Sequence, residues 1–384
     1  MTFKFVRTAI AMAAALTAAA SQAATINLVD LGGVTGSQAE QGFRIAANYW
    51  GSMFTNDVTI NLGVGFSALG SGIIGSTGST RQDFAVSAWE AGILNTRSNS
   101  MVDQMAVLPA LSAQGGISGL TVGVDGTGNN NTTITASLNG SQIASQVLYL
   151  NTAVVKAVGG TVTNPTARDG NVTFSSNFAF DFNPTNGITA GQMDFIGVAI
   201  HEIGHALGFV SGVDFFDVYG KPNGPSAGTL GYDLNDTSIF SALDMFRYSA
   251  PGTLDLRTGG TKYFSINGGA SALFGNSFST GRYNGDGQQA SHWKDTAGCQ
   301  VGNGIMDPTF CFAQMGTITG LDLAAFDAMG WNLSVNALTV ANMTTAQIYA
   351  AAVPEPSAWA LMLAGGVGIA GIARRRSRST AARD

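Results

Sequence analysis

Apolar positions fall at helical spacing across residues 37–53, where Ala39, Phe43, Ile45, Ala46, Tyr49 and Trp50 line up and Phe54 follows. Residues 58–64 switch to strict alternation, which predicts a strand. A looser Gly/Ser stretch runs to Thr80, and helical spacing returns over 82–95. Short runs at 120–124 and 132–138 predict strands. Residues 143–158 read as one helix stopped by Gly159 and Gly160. Residues 172–182 alternate through Phe174, Phe178, Phe180 and Phe182 and predict a single strand. The next segment is apolar on most faces: Met193, Phe195, Ile196, Val198, Ile200, Ile203, Ala206 and Leu207. It predicts a buried helix over residues 192–207, entered through a capping pattern at Thr189 and Gln192. Gly208 suits the left-handed position that ends it. A further capped helix, read as core packing, is predicted from Thr319 to Met329, ending at Gly330 and Trp331. Residues 336–353 read as a weakly structured linker, and no internal repeat is evident. Runs of strands and helices of this kind predict an α+β protein.

Both ends of the chain differ from its body. Lys4 and Arg7 precede an Ala-rich apolar stretch from Thr8 to Ala20, and Ser21, Gln22 and Ala23 offer small residues for cleavage. Residues 1–23 therefore read as a secretory signal peptide, with a mature start near Ala24; the competing reading is a buried N-terminal helix. At the other end Pro354, Glu355 and Pro356 precede an apolar run over 358–373, followed by Arg374, Arg375, Arg376 and Arg378. The run is somewhat shorter than the ~20 residues that span a bilayer comfortably. Residues 354–384 resemble the PEP-CTERM sorting signal of Gram-negative bacteria, which an exosortase recognises and cuts. That resemblance implies export to the cell surface or extracellular matrix, with transient membrane anchoring. A plain C-terminal transmembrane anchor is the alternative.

Of the 18 lysines and arginines, Lys4, Arg7, Arg374, Arg375, Arg376, Arg378 and Arg383 lie at the ends, which leaves 11 in residues 24–353. Of the 24 acids, Glu355 and Asp384 lie in the tail, which leaves 22. A body of net charge −11 argues against nucleic acid as a partner. Residues 24–353 are enough to bury a real core in one large or two medium domains. Only two cysteines exist, Cys299 and Cys311; in an oxidising compartment they should form a disulfide around Met306. Two free buried thiols would be the alternative.

The chain has only three histidines. His201 and His205 flank Glu202 in an H-E-x-x-H motif. Histidines four apart share one helix face and can hold one ion from adjacent turns. Glu202 lies about 100° round the helix, within reach of a water activated by zinc. It is the candidate general base, handing the proton on to a leaving amine. Glutamate is scarce elsewhere, so composition does not produce the motif by itself. Gly208 stands where the metzincin signature has its glycine, but Ser211 stands where that signature has its third histidine. The third ligand must come from elsewhere, and two candidates exist. Asp214 is near in sequence, and His292 lies just ahead of Gly304, Ile305, Met306, Asp307 and Pro308. A nitrogen ligand suits zinc better than a further carboxylate.

Here the chain resembles leishmanolysin, a relative of the metzincins. His205, Ala206, Leu207, Gly208 and Phe209, then His292 with Trp293, then Ile305, Met306, Asp307 and Pro308 follow that family's order over residues 192–210 and 290–331. The resemblance implies a metzincin-like zincin: a mixed twisted sheet with its active-site helix over a mostly irregular or helical C-terminal subdomain. It implies Zn2+ held by His201, His205 and His292, with Met306 in a Met-turn packed beneath them. It also implies that the strand before the helix, over Phe174 to Phe182, is a sheet edge that pairs with extended substrate; an interior strand is the alternative. Leishmanolysins are rich in disulfides and carry a propeptide cysteine that blocks zinc, whereas no cysteine here precedes Cys299.

The expected organisation is a metallopeptidase domain over 24–335, divided at residue 210, with a linker at 336–353. Asp214 and Asp217 remain open as ligands, as acceptors supporting the ligands, or as surface acids. The stretch Asp233, Leu234, Asn235 and Asp236 lacks the spacing of a calcium loop and reads as solvated. Two functions compete. One is a secreted zinc endopeptidase acting on protein or peptide; the other is an inactive zincin-fold surface or matrix protein. Glu202 favours the enzyme, because a structural metal needs no base and usually has four protein ligands.

Overall fold

The computed structural model describes residues 24–353 except 127, 228–232, 297, 300 and 301. The expected signal peptide and the apolar run of the tail lie outside the described residues. In chain order the elements are β1 (Thr25–Gly32), α1 (Gln38–Met53), β2 (Thr59–Ser67), β3 (Gly75–Ser79), β4 (Arg81–Ala85), α2 (Val86–Thr96), α3 (Met101–Met105), β5 (Leu120–Val122), β6 (Ala136–Leu138), α4 (Ile143–Gln146), β7 (Val147–Asn151), α5 (Thr152–Ala157), β8 (Gly170–Ser175), β9 (Phe180–Asp181), β10 (Met193–Asp194) and α6 (Phe195–Ala206). There follow α7 (Val213–Tyr219), β11 (Arg247–Ala250), β12 (Thr253–Leu254), β13 (Tyr263–Phe264), β14 (Thr317–Ile318), α8 (Gly320–Met329), β15 (Met343–Thr344) and α9 (Thr345–Ala352). Helices and several small sheets mix as an α+β protein should.

The largest sheet has the order β1-β2-β8-β3. Its first three strands are parallel, and β3 runs antiparallel to β8 at the edge. Ile60, Leu62 and Val64 of β2 put their side chains on one face of the sheet and are buried, and the glycines between and after them, Gly63 and Gly65, are buried too. The cover is α1 and α6. Phe43 of α1 packs edge-on to Phe174 of β8 at 4.8 Å and to Phe195 of α6 at 4.9 Å. The helices meet where Gly42 faces the Phe195 ring; a Cβ there would lie 2.4 Å from it. Trp50 then donates its indole N–H to the carbonyl of Ile200 at 2.9 Å, fixing one helix along the other.

Several expectations need correction. Residues 82–95 are not one helix: β4 comes first and pairs with β7, and α2 begins at Val86. For the same reason 143–158 breaks into α4, β7 and α5. Both stretches carry enough apolar residues for either period, and the distant partner strand decides. The strand predicted over 172–182 ends at Ser175, whose hydroxyl accepts from the Asn177 amide in a tight turn. It is also an interior strand, so the edge beside the site is β3. The motif helix begins at Phe195 rather than 192. Asp194 caps it by accepting from the Gly197 amide at 3.0 Å, while Thr189 is tied to Asp181. Residues 336–353 are no loose linker. β15 pairs with β14, α9 is opened by a capping box between Thr344 and Gln347, and Ile348 is buried. The Thr345 hydroxyl reaches the same Asp194 carboxylate at 2.5 Å. The helix at 320–329 is as expected, with its capping box at Thr319 and Asp322 and Gly330 left-handed at φ +119°.

Candidate metal centre

His201 and His205 project from consecutive turns of α6, and the loop 283–292 brings His292 to meet them. The three rings form the group among the described residues whose ligand atoms could share an ion, all within 4.8 Å of one another. Each ring has one nitrogen engaged by a backbone carbonyl. His201 Nδ1 lies 2.7 Å from Ile305 O, His205 Nδ1 2.6 Å from Phe209 O, and His292 Nδ1 3.2 Å from Gln289 O. A carbonyl only accepts, so each Nδ1 carries the proton and each Nε2 presents a lone pair. These Nε2 atoms converge, at 3.0 Å between His205 and His201 and 3.1 Å between His205 and His292. Burial pushes the pKa of His201 down to about 4 and of His292 to about 3; burial and the two neighbouring rings lower His205 well below its usual range. The rings are neutral near pH 7, the form that binds metal. Three lone pairs facing one point, with no proton to share, fit a divalent cation with imidazole preference such as zinc.

Several groups hold this arrangement in place. Asp214 is not among the converging atoms. Its carboxylate accepts from the Ala290 amide at 2.6 Å, the Ser291 amide at 3.1 Å and the Ser291 hydroxyl, and so anchors the turn that presents His292. Burial pushes its pKa up to about 6 against those bonds. Asp217 secures the start of the same loop through the amides of Tyr283 and Asn284. Ser211 joins the loop too: its amide donates to Ser291 Oγ, and its hydroxyl donates to Asp244. Asn235 folds back on Asp233 in a local turn.

Met306 is fully buried beneath α6. A Cβ at Gly204 would lie 2.7 Å from its sulfur, so that glycine lets the turn touch the helix between the two histidines. The turn is held by Asp322, a residue whose sequence context points only to helix packing. Its carboxylate accepts from the amides of Ile305, Met306 and Thr319 and from the indole of Trp293, at 2.8 to 3.3 Å. One acid thus links helix start, turn and the residue beside His292. Its only sequence signal is the Thr319 and Asp322 cap spacing. The disulfide expected between Cys299 and Cys311 is present, with Cα atoms 5.6 Å apart on either side of the turn.

Glu202 is buried next to the rings, with Oε2 accepting from the Thr77 hydroxyl of β3 at 2.7 Å. Burial raises its pKa to about 7, partly opposed by that bond. Gly75 gives it room; a Cβ there would fall 2.5 Å from Oε1. Neither Thr77 nor Gly75 stands out in the sequence, because a Gly/Ser-rich stretch gives no sign of which strand it will join. The centre opens into a cleft of about 1120 Å³, lined by β3, α6, the loop around His292 and residues 307–310 after the turn.

Among known families, the PEP-CTERM protein-sorting motif matches residues 352–378. Comparison with curated proteins and with solved structures gives no match. Among the described residues no helix is long and apolar enough to cross a membrane. The sorting motif implies recognition of the C-terminal region by an exosortase, export from a Gram-negative bacterium, transient membrane anchoring before processing, and a final place at the surface or outside the cell.

Proposed function

We propose that the chain is an exported zinc-dependent endopeptidase of metzincin type. The observation that carries this reading is the convergence of three neutral imidazole Nε2 atoms beside a buried carboxylate at the floor of an open cleft. His201, His205 and His292 would hold the ion. Bound there, zinc would supply Lewis acidity and bring a water's pKa towards neutrality. Glu202 takes a proton from the attacking water as its oxygen bonds to the peptide carbonyl carbon. As the C–N bond breaks, Glu202 delivers that proton to the leaving nitrogen. Burial raises the carboxyl's affinity for a proton, which favours its taking one from the water. Thr77 orients it through the hydrogen bond to Oε2. β3, the antiparallel edge of the sheet, suits backbone pairing with an extended peptide.

The metzincin assignment draws support from the order of the motifs and from Met306 lying against Gly204 beneath the two helix histidines. Casein is the simplest substrate. The zinc-loaded protein should degrade it, a chelator should stop this, and added zinc should restore it. Zinc binding with no hydrolysis of casein or unfolded protein would favour the inactive matrix protein instead.

A further inference from the structure

The cleft has two unlike ends. Strand β3 runs along α6: Gly75 and Thr77 lie at Glu202, and the Ser79 hydroxyl reaches the carbonyl of His205. Before Gly75 the lining includes the apolar Ile73, Ile74, Val198 and Phe310, together with Ser71, Asp307 and Thr309. Beyond Ser79 it carries Arg81 at the start of β4, with Tyr149 beside it on β7. The guanidinium carbon lies 6.0 Å from the centre of the Tyr149 ring.

Arg81 stands apart from the other cations of the body. Six of the 11 basic residues in 24–353 are ion-paired: Arg44, Lys156, Arg247, Arg257, Lys262 and Lys294. Arg97, Arg168, Lys221 and Arg282 are exposed; Arg282 also lines the cleft, on the side of the loop that carries His292, with its guanidinium carbon 5.8 Å from the centre of the Tyr283 ring. Arg81 alone is half-buried with no ion pair or hydrogen bond from its guanidinium among the described residues. This is in a body with twice as many acids as bases. The two carboxylates whose charge reaches it are already committed, Asp214 to the His292 loop and Asp244 to Ser211, Gly212 and Ser241. Burial pushes its pKa down, though an arginine keeps its charge. A desolvated fork of N–H donors with no acceptor, facing a cleft, is suited to an incoming carboxylate.

We propose that Arg81 is a specificity-determining residue that binds a carboxylate of the substrate peptide at the end of the cleft beyond His205. The inference rests on the peptidase reading and names its substrate class: peptides with an Asp or Glu side chain, or a chain-terminal carboxylate, at that subsite.

The test uses zinc-loaded protein and fluorescent peptides of one sequence. A single Glu is set against Gln at each position in turn, and the C-terminus is free or amidated. Affinity is read in the Glu202→Gln background, where turnover is stopped, and hydrolysis is read with the unaltered enzyme. One Glu position should tighten binding at least about tenfold over Gln. Arg81→Gln should bring that ratio near one, and Arg81→Lys, which keeps the charge without the fork, should leave an intermediate ratio. If amidation rather than Glu→Gln removes the preference, the carboxylate is the chain terminus. Equal binding of charged and neutral peptides, or a preference intact in both Arg81 variants, overturns the proposal. Failure of the unaltered enzyme to cut any peptide would count against the peptidase reading, while the binding ratio still decides the role of Arg81.

Discussion

His292 is held in position by a carboxylate that is not among the converging ligand atoms. Asp214 fixes the turn at Ala290 and Ser291, so its loss should loosen His292 without removing a ligand. His292→Ala should abolish stoichiometric zinc in metal analysis. Asp214→Ala should keep zinc with affinity lower by about 10–100-fold, the usual effect of a supporting group. Zinc retained by His292→Ala and lost by Asp214→Ala would reverse the two roles. A second residue gives a pH signature. Asp327 of α8 is buried, with one oxygen bonded to the Ser100 hydroxyl and Asp103 close by, and burial raises its pKa to about 7. The folded state then holds a proton that the unfolded state releases near pH 4. Its contribution to stability is therefore full below about pH 4 and is lost as pH rises to about 7. Asp327→Asn removes that titration. The stability of the variant relative to the natural chain should rise across this window, by at most about 1.4 kcal/mol per pH unit. Denaturant midpoints at pH 4 and pH 8 check the sign, and a flat difference would contradict it.

At the level of elements, the site depends on three pieces docked around α6: β3 above Glu202, the loop that carries His292, and the turn at Met306. The turn is braced by Asp322 and by the disulfide. Replacing both cysteines by serine should lower stability by ~2–3 kcal/mol, as for other short loops, and weaken zinc binding with it. Unchanged unfolding in reductant would mean the bridge does not brace the turn. The motif helix, its two histidines, Glu202 and the order of His292 and Met306 were legible because they are local patterns with chemical meaning. The elements β4 and β7 were not. Each lies in a stretch whose apolar content also suits a helix, and only their pairing with each other, Arg81 with Asn151 through Ala85 with Val147, makes them strands. Likewise β3 reads as Gly and Ser, yet it supplies Thr77 to Glu202. Arg81, one cation among 18 in the chain, acquires meaning only when every carboxylate around it is found to be engaged. The tail segment 336–353 looked like a linker because its capping box sits on a short helix of small residues, whose anchor is Asp194 far back in the chain.

For the whole molecule, the folded body carries a net charge of −11 and its sorting motif begins at the last residue of α9. Because α9 is docked on the body, cutting in the motif would leave the fold intact. Intact mass of the protein from its native host should correspond to a chain that begins near Ala24 and ends close to Pro354. Most molecules retaining residues 358–384 would indicate a permanent anchor instead. The central claim is that this body is a zinc peptidase whose base is Glu202. Its most direct test is the rate of peptide hydrolysis by Glu202→Gln beside the unaltered protein, with both shown to hold equal zinc. The amide preserves size and can still accept from Thr77, so fold and metal should persist. The account predicts a loss of about 10²–10⁴-fold, the range for removing a general base. A variant within about tenfold of the unaltered protein would contradict it.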